Sequence, residues 1–432
     1  MLSPLAKVEA HEGATALLLA LTVFLLMSAY YTIKIAREAL VLSESGAEGK
    51  VLAAAAQTLL MIPVVYFFGK LAERLDRVKL IATVKLFFVS NLLVFYLLYR
   101  AGFNIGIAFY IWVGVFNMTV FSQFWAFAND LYTREQGERL FPIVALGTAS
   151  GAVAGSAAVR ALRGVLGNSV EIWMVIASGI ILLCLVLVWW IDRHQERQGA
   201  EDGVEKAPPI EGGGAFQMVV RNRYLLLMAL MMVTLNWVNT TGEYLLDRLI
   251  LAAAQTAYDP AGGVSEKAFT AGFVANFRAE FFLWVNVATM LLQAFVVSRI
   301  YRFFGVRFAL VLVPFAAFAS YFALSLAPLL AVARWTKMAE NSLDYSLQNT
   351  TRQTLFLVTS RAEKYKAKVA IDTFFVRAGD LLAASLILVV FYLLQIKTLG
   401  TFLTTTLFLA VVWLVVAWLI GCEYRRRVAD LG

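Results

Sequence analysis

The chain has few of the residues from which soluble enzymes and metalloproteins build their sites. Charged residues make up 15% of its 432 residues, whereas 61% are hydrophobic. Its two cysteines, Cys184 and Cys422, both lie in apolar stretches and indicate no disulfide framework. Its two histidines, His11 and His194, lie far apart in polar segments and form no metal-ligand pattern. We therefore expect neither a sizeable soluble domain nor a bound metal.

Motifs for nucleotide hydrolysis and for catalysis are also missing from the sequence. No G-x-x-x-x-G-K-[ST] loop occurs, and the stretch Gly46–Lys50 does not have that spacing. No pairing of a nucleophile with a base suggests a catalytic centre. The sequence therefore predicts that the protein is not an enzyme and uses no cofactor.

Long apolar stretches recur instead from one end of the chain to the other. A membrane-spanning helix needs roughly 20 residues, most of them apolar. About twelve segments reach that length, at residues 14–42, 51–69, 80–99, 105–131, 141–162, 172–191, 224–246, 271–297, 308–326, 329–358, 369–394 and 402–422. We therefore predict an all-α membrane protein.

The polar stretches divide these segments into two halves. Residues 192–214 are polar and contain Pro208-Pro209 and Gly212–Gly214, a composition typical of a linker. The sequence therefore predicts a six-helix half at residues 1–191, a cytoplasmic linker at 192–219 and a second six-helix half at 220–432.

A weak internal repeat supports this division. Gly69–Arg77 follows the second segment, and Ser298–Arg307 follows the eighth. The first stretch resembles the loop pattern of the major facilitator superfamily, with Glu73 in the acidic position and Asp76 where a glycine is usual. The second is a degraded copy at the matching place. This resemblance implies a carrier that binds its substrate near the membrane midplane between two halves.

Basic residues are concentrated in alternate loops. The formal net charge is +8, and the tail ends in a basic cluster at Arg425–Arg427. The positive-inside rule then places both termini and the linker in the cytoplasm. Because topology explains the charge, we expect the lipid bilayer, and not a nucleic acid polymer, as the large partner.

The end of the first apolar segment carries charge where charge is costly. Helical spacing puts Tyr30, Lys34, Arg37 and Val41 on one face, with Glu38 beside them. An ionisable residue at bilayer depth is a candidate functional residue by default. We therefore predict that this face lines a cavity and that Lys34 and Arg37 meet an anion there.

The tenth segment carries a polar stripe along one face. Its members recur at steps of three or four residues: Arg334, Lys337, Asn341, Asp344, Gln348 and Arg352. Such a stripe is either the wall of a cavity or a structural polar seam to neighbouring helices. We favour the cavity.

Three further apolar segments also contain polar or charged residues. In the seventh segment Asn236, Asn239, Glu243 and Asp247 fall on one face. In the eleventh, Arg377 lies three residues before an aspartate, so the two either pair with each other or bind substrate. At the start of the eighth, an arginine and a glutamate, residues 278 and 280, are interpreted as interfacial.

Six stretches in matching order resemble the ATP/ADP translocase (TLC) family of nucleotide transporters, a branch of the major facilitator superfamily found in plastids and obligate intracellular bacteria. They are Tyr30–Val41, Phe124–Asn129, Arg139–Pro142, Asn236–Asn239, Ser342–Tyr345 and Lys366–Asp372. The resemblance implies counter-exchange of nucleotides such as ATP and ADP. It also implies that Lys34 occupies a basic first-helix position tied to transport.

The chain departs from the family pattern at three places. Asn117 is the polar group nearest to a fourth-helix position that is acidic in the family. Asn239 stands where the seventh helix of the family has a glutamate, and Arg377 matches the late basic residue only loosely. The departures point to a divergent bacterial member.

The sequence analysis ends in one hypothesis with two rivals. We predict an alternating-access carrier, monomeric and in the bacterial inner membrane, that exchanges a phosphorylated anion, foremost a nucleotide. The predicted substrate-binding residues are Tyr30, Lys34, Arg37, Asn117, Asn239, Glu243, Lys337, Asp344, Arg352 and Arg377. The rivals are a proton-coupled symporter in which Glu38, Glu243 or Asp380 titrates, and a non-transporting protein such as a receptor or a lipid scramblase.

Overall fold

The protein is helical throughout the part of the chain that the structure describes. A computed structural model describes residues 13–72, 75, 77–131, 134–166, 169–198, 215–359, 363, 367–396 and 398–431. Within these ranges every regular element is a helix, and no strand occurs. The prediction of an all-α protein is therefore confirmed for these residues.

The chain packs as two compact units, Met1–Lys206 with Ala257–Leu283, and Ala207–Thr256 with Trp284–Gly432. The first unit contains α1 (Gly13–Ala72), α2 (Arg77–Arg100), α3 (Gly106–Leu131), α4 (Arg134–Leu166), α5 (Ile172–Gln198), a 3₁₀ turn (Pro260–Gly262) and most of α8 (Glu266–Leu291). Residues 199–214 of the predicted linker lie outside the described residues, so the predicted boundaries of the halves stay a prediction.

The second unit is built from the remaining helices. These are α6 (Ala215–Arg221), α7 (Arg223–Ala257), a π turn (Leu292–Val296), α9 (Val297–Leu326), α10 (Leu330–Leu343), a π turn (Asp344–Gln348), α11 (Asn349–Leu355), a 3₁₀ turn (Phe356–Val358), α12 (Lys368–Ala370), a π turn (Ile371–Phe375), α13 (Val376–Leu388), a π turn (Val389–Leu393) and α14 (Leu399–Leu431). In this unit α9 packs against both α10 and α14.

Ten helices in the described part of the chain are long and apolar enough to cross a membrane. The difference from the twelve predicted segments has two physical causes. The first two segments form one helix, α1, and the tenth segment, α10 with α11, is too polar to be counted. Large apolar side chains such as Leu97, Phe303 and Phe408 are 63–69% exposed, as expected of surfaces that face lipid.

Glycines mark two of the boundaries between predicted segments. Gly46 lies inside α1 with φ 68°, and Gly305 lies inside α9 with φ 74°. A positive φ is accessible to glycine at little cost, whereas a side chain would be strained there. Each glycine therefore kinks its helix between two apolar stretches.

Close helix packing in the first unit depends on small residues. The helix α1 packs against α3, α4 and α5. A methyl group built on Gly147, Gly151 or Gly155 of α4 would lie within 2.5 Å of a carbonyl oxygen of α1. These glycines therefore have a packing role, because only a hydrogen side chain permits this approach.

Candidate functional site

Lys34 of α1 lies among aromatic rings in the first unit. Its Nζ is 4.1 Å from the ring centroid of Phe282, 4.9 Å from that of Tyr31 and 5.8 Å from that of Tyr30. The three rings are buried, and the lysine side chain is half-buried. Ring faces attract a cation by cation–π interaction and hold the ammonium group at a fixed place inside a membrane helix.

Arg37, one helical turn further on, lies in a different environment. Its Nη2 donates to Oε1 of Glu38 at 2.6 Å, and its guanidinium lies 4.2 Å from the ring centroid of Tyr110. The second carboxylate oxygen of Glu38 forms an ion pair with Lys50 Nζ, also at 2.6 Å. Arg37 therefore belongs to a buried ion-pair cluster, and its predicted contact with a substrate anion stays a prediction.

The other two predicted residues of the first unit, Tyr30 and Asn117, lie on α1 and α3 respectively. Tyr30 is 9% exposed and packs edge-on against Phe121 of α3 with ring centroids 5.8 Å apart. Asn117 lies one turn before Phe121 on α3 and is half-buried. The aromatic side chains thus join the face of α1 that carries Lys34 to the polar position of α3.

Arg278 of α8 corrects an expectation from the sequence. It was interpreted as interfacial, but its side chain is fully buried. Its guanidinium lies 5.6 and 5.8 Å from the ring centroids of Phe281 and Phe282, and its charge acts on the Glu38 carboxylate. Position near a helix start did not reveal this burial, because it depends on packing against α1, where Glu38 lies.

Lys337 of α10 is the centre of a buried polar network in the second unit. Its Nζ donates to Oδ1 of Asn239 at 2.7 Å and to Oε1 of Glu340 at 3.1 Å. The hydroxyl group of Tyr321 donates to Oε2 of Glu340 at 2.7 Å. Sequence analysis missed Glu340 and Tyr321. The i,i+3 spacing from Lys337 to Glu340 was a usable signal, whereas the contact from Tyr321 of α9 was not visible in the sequence.

Two more predicted residues bind protein partners in this unit. Oε1 of Glu243 accepts a hydrogen bond from Asn341 Nδ2 at 3.2 Å. Arg377 lies 3.1 Å from Asp380, which also accepts a hydrogen bond from Thr240 at 2.9 Å. Of the two alternatives for Arg377, the structure therefore forms the ion pair. Its substrate role stays a prediction.

Asp344 and Arg352 line a cavity of about 340 Å³ within the second unit. The polar side chains around it are Asn236, Asp344, Tyr345, Gln348, Asn349 and Arg352. Arg352 donates to Asn349 at 2.9 Å and lies 3.7 Å from Asp372. The cavity has the size of a small-molecule site. Asp344, Gln348 and Arg352 of the polar stripe line it, whereas Lys337 and Asn341 of the same stripe bind residues of α7 and form a polar seam.

The ten predicted residues are thus distributed over both units. Tyr30, Lys34, Arg37 and Asn117 belong to the first, and the remaining six belong to the second. Within the second unit, Asn239, Glu243 and Lys337 lie in or beside one network, and Asp344 and Arg352 line one cavity.

Comparison with known proteins shows to which family this chain belongs. The model of the TLC ATP/ADP transporter family matches residues 102–424, about three quarters of the chain. This chain belongs to the TLC ATP/ADP transporter family. The resemblance found in the sequence is therefore confirmed, and the protein is an integral membrane protein of a family of transporters rather than enzymes.

The curated relatives of this chain are distant in sequence and longer than it is. The ADP,ATP carrier protein 1 of Chlamydia pneumoniae is 23% identical over 319 residues, which cover 63% of this chain and 58% of the relative. The protein of the same name from Chlamydia muridarum is 24% identical over 353 residues, covering 71% of this chain and 63% of the relative. The chain therefore spans about three fifths of the length of these relatives.

Solved structures give the fold. A bacterial homologue of the human lysosomal transporter Spinster, inward-facing and unoccupied, matches with a TM-score of 0.60 at 16% identity and covers 98% of this chain and 99% of its own. The nucleoside transporter NupG matches with a TM-score of 0.65 at 10% identity and covers 95% of this chain and 99% of its own. At this identity the matches show the fold alone, and they confirm the major facilitator-like fold.

Proposed function

We propose that this protein is a secondary transporter that exchanges nucleotides across a membrane, with ATP and ADP as the foremost pair. Membership of the TLC family and the names of the chlamydial relatives support this proposal. The observation that carries it from the structure is the position of Lys34, a cation inside a membrane helix and surrounded by three rings. An ammonium group binds phosphate well.

The proposal extends to the remaining predicted residues and to the location of the protein. Lys34 and Arg37 in the first unit and Arg377 in the second would bind phosphate groups. Asn239, Glu243 and Asp344 would be further substrate-binding residues of the second unit. The protein would lie in the bacterial inner membrane with both termini in the cytoplasm, since its basic residues concentrate in alternate loops and in the tail. The lack of a phosphate-binding G-x-x-x-x-G-K-[ST] loop supports exchange without hydrolysis.

Exchange by purified protein in proteoliposomes tests the proposal. We expect uptake of labelled ATP or ADP that requires unlabelled nucleotide inside the vesicle. Lys34→Ala should lower kcat/KM for nucleotide by roughly 10- to 100-fold, because a hydrogen bond to a charged group contributes about 1.5–3 kcal/mol. Lys34→Arg should retain part of the activity.

The control for Lys34 is Lys79→Ala, which removes an exposed lysine from α2 and should leave exchange unchanged. Failure of wild-type protein to move any nucleotide, with the vesicles loaded or empty, would refute the proposal. Uptake that follows an imposed pH gradient and ignores internal nucleotide would favour the proton-coupled symporter. Lipid scrambling without solute uptake would favour the non-transporting protein.

A further inference from the structure

The cavity of the second unit lies at an irregular turn of the backbone. Asp344–Gln348 form a π turn between α10 and α11, and Asp344, Tyr345 and Gln348 of this turn line the cavity. Single π turns are rare and occur frequently at functional sites. Inside a membrane, irregular backbone is tolerated where it is buried in protein or lines a cavity. The irregular backbone therefore indicates a functional site at this cavity, independently of the side chains that line it.

Two of the polar side chains that line the cavity, Asp344 and Gln348, have acceptor oxygens with no donor among the described residues. Gln348 is 2% exposed, its Nε2 donates to the sulfur of Met231 at 3.6 Å, and its Oε1 has no hydrogen-bond partner within the described residues. The Nδ2 of Asn236 donates to the carbonyl oxygen of Met232 at 2.7 Å. The Asp344 carboxylate forms neither a hydrogen bond nor an ion pair in the described part of the chain. A buried acceptor without a donor is costly, so the cavity favours a ligand that donates.

The balance of charge argues against phosphate in this cavity. Arg352 is the basic residue in the cavity lining, and it already lies 3.7 Å from the carboxylate of Asp372. Lys337 and Glu340, whose charges also act on Asp344, are paired with each other at 3.1 Å. Arg352 acts on Asp344 as well, so the carboxylates of Asp344 and Asp372 share one guanidinium group. The net negative charge of these side chains would repel a phosphate group.

We propose that this cavity binds the nucleoside end of the substrate, with Asp344 and Gln348 accepting hydrogen bonds from it. A nucleoside such as adenosine offers donors of two kinds, the ribose hydroxyls and the exocyclic amino group. The inference rests on the proposed nucleotide exchange, and it makes Asp344 and Gln348 determinants of specificity for the nucleoside.

Binding of nucleosides to the purified full-length protein tests the inference without any transport. The ligands are adenosine, 2′,3′-dideoxyadenosine, which lacks the 2′- and 3′-hydroxyls, and inosine, which has a carbonyl oxygen in place of the exocyclic amino group. Isothermal titration should show that wild-type protein binds adenosine and that Asp344→Asn and Gln348→Met bind it roughly 10- to 100-fold more weakly. The analogue that lacks the recognised donor should bind wild-type protein weakly and lose no further affinity in Asp344→Asn.

The matched control is Ser346→Ala on the same turn. Ser346 is fully buried, donates to the carbonyl oxygen of Ser342 and does not line the cavity, so adenosine affinity should stay at the wild-type value. Absence of adenosine binding to wild-type protein would overturn the inference. Wild-type affinity in Asp344→Asn, or an equal loss for all three ligands, would overturn it as well.

The same measurements separate this inference from the proposed function. Adenosine binding that depends on Asp344, in a protein that exchanges no nucleotide, would support the cavity assignment and refute the exchange. Nucleotide exchange by a protein in which Asp344→Asn leaves the affinities for all three nucleosides unchanged would support the exchange and refute the assignment.

Discussion

Most of the predicted basic residues in the membrane helices are close to a carboxylate on their own helix. Arg37 pairs with the next residue, Glu38, at 2.6 Å, and Lys337 pairs with Glu340 at 3.1 Å. Arg377 pairs with Asp380 at the same distance. Such pairs reduce the cost of burying charge but add little net stability. Lys34 of α1 is surrounded by three aromatic rings, and because these rings hold its ammonium group in place it is the first residue to test for substrate binding.

The Lys337–Glu340 pair allows a stability prediction at the residue scale. Both side chains are at most 5% exposed, so Glu340→Gln leaves a buried ammonium group without its countercharge. We expect the free energy of unfolding to fall by about 3–5 kcal/mol, seen as a lower Tm of the purified protein in detergent.

The double variant Lys337→Met with Glu340→Gln is the control for this pair. It removes both charges together and should recover most of the lost stability. If the single and double variants have the same Tm, the pair is not the source of the effect. A stable double variant that has lost nucleotide exchange would instead support the predicted substrate role of Lys337.

At the scale of elements, the contact between α1 and α4 depends on the absence of side chains. A methyl group on Gly151 would lie 2.3 Å from the carbonyl oxygen of Phe24, which is backbone and cannot swing away. We expect Gly151→Ala to destabilise the protein by about 1–3 kcal/mol through overpacking. Thermal unfolding in detergent measures this as a lower Tm.

Gly179→Ala in α5 is the matched control, since no atom lies within 4 Å of the added methyl group. Alanine favours helix more than glycine by up to about 1 kcal/mol, so this variant should be as stable as the wild type or more so. Equal destabilisation by both substitutions would contradict the packing argument.

At the scale of the whole molecule, sequence patterns predicted the features that depend on residues close together in the chain. Apolar length predicted the helices, the kink at Gly46 falls between two predicted segments, and helical spacing predicted that Arg377 and Asp380 could pair. The burial of Arg278 and the contact of Tyr321 with Glu340 were not predicted. Both depend on which helices become neighbours, and the local spacing of one helix carries no such information.

The tenth segment is too polar to be recognised as membrane-spanning from its composition. Whether it crosses the membrane decides on which side the following helices begin and end, and so concerns the whole chain. The helix α10, its π turn and α11 have 14, 5 and 7 residues. At about 1.5 Å per residue they extend about 39 Å, more than the hydrocarbon core of about 30 Å. Because Lys337 is paired within the protein, we expect this segment to cross the membrane.

Labelling of single cysteines with an impermeant maleimide checks this topology. The background replaces Cys184 and Cys422 by serine, and cysteines are placed at Leu329, Ile396 and Val428, which are exposed by 60%, 37% and 46%. Two crossings separate Leu329 from Ile396 if the tenth segment spans, so both cysteines should react in intact cells. We expect Val428 to lie on the cytoplasmic side with the basic tail, as the positive-inside rule predicts, and a cysteine there should react only after permeabilisation. Labelling of Leu329 and Ile396 from opposite sides would show that the tenth segment does not cross, and the polar stripe would then need another explanation.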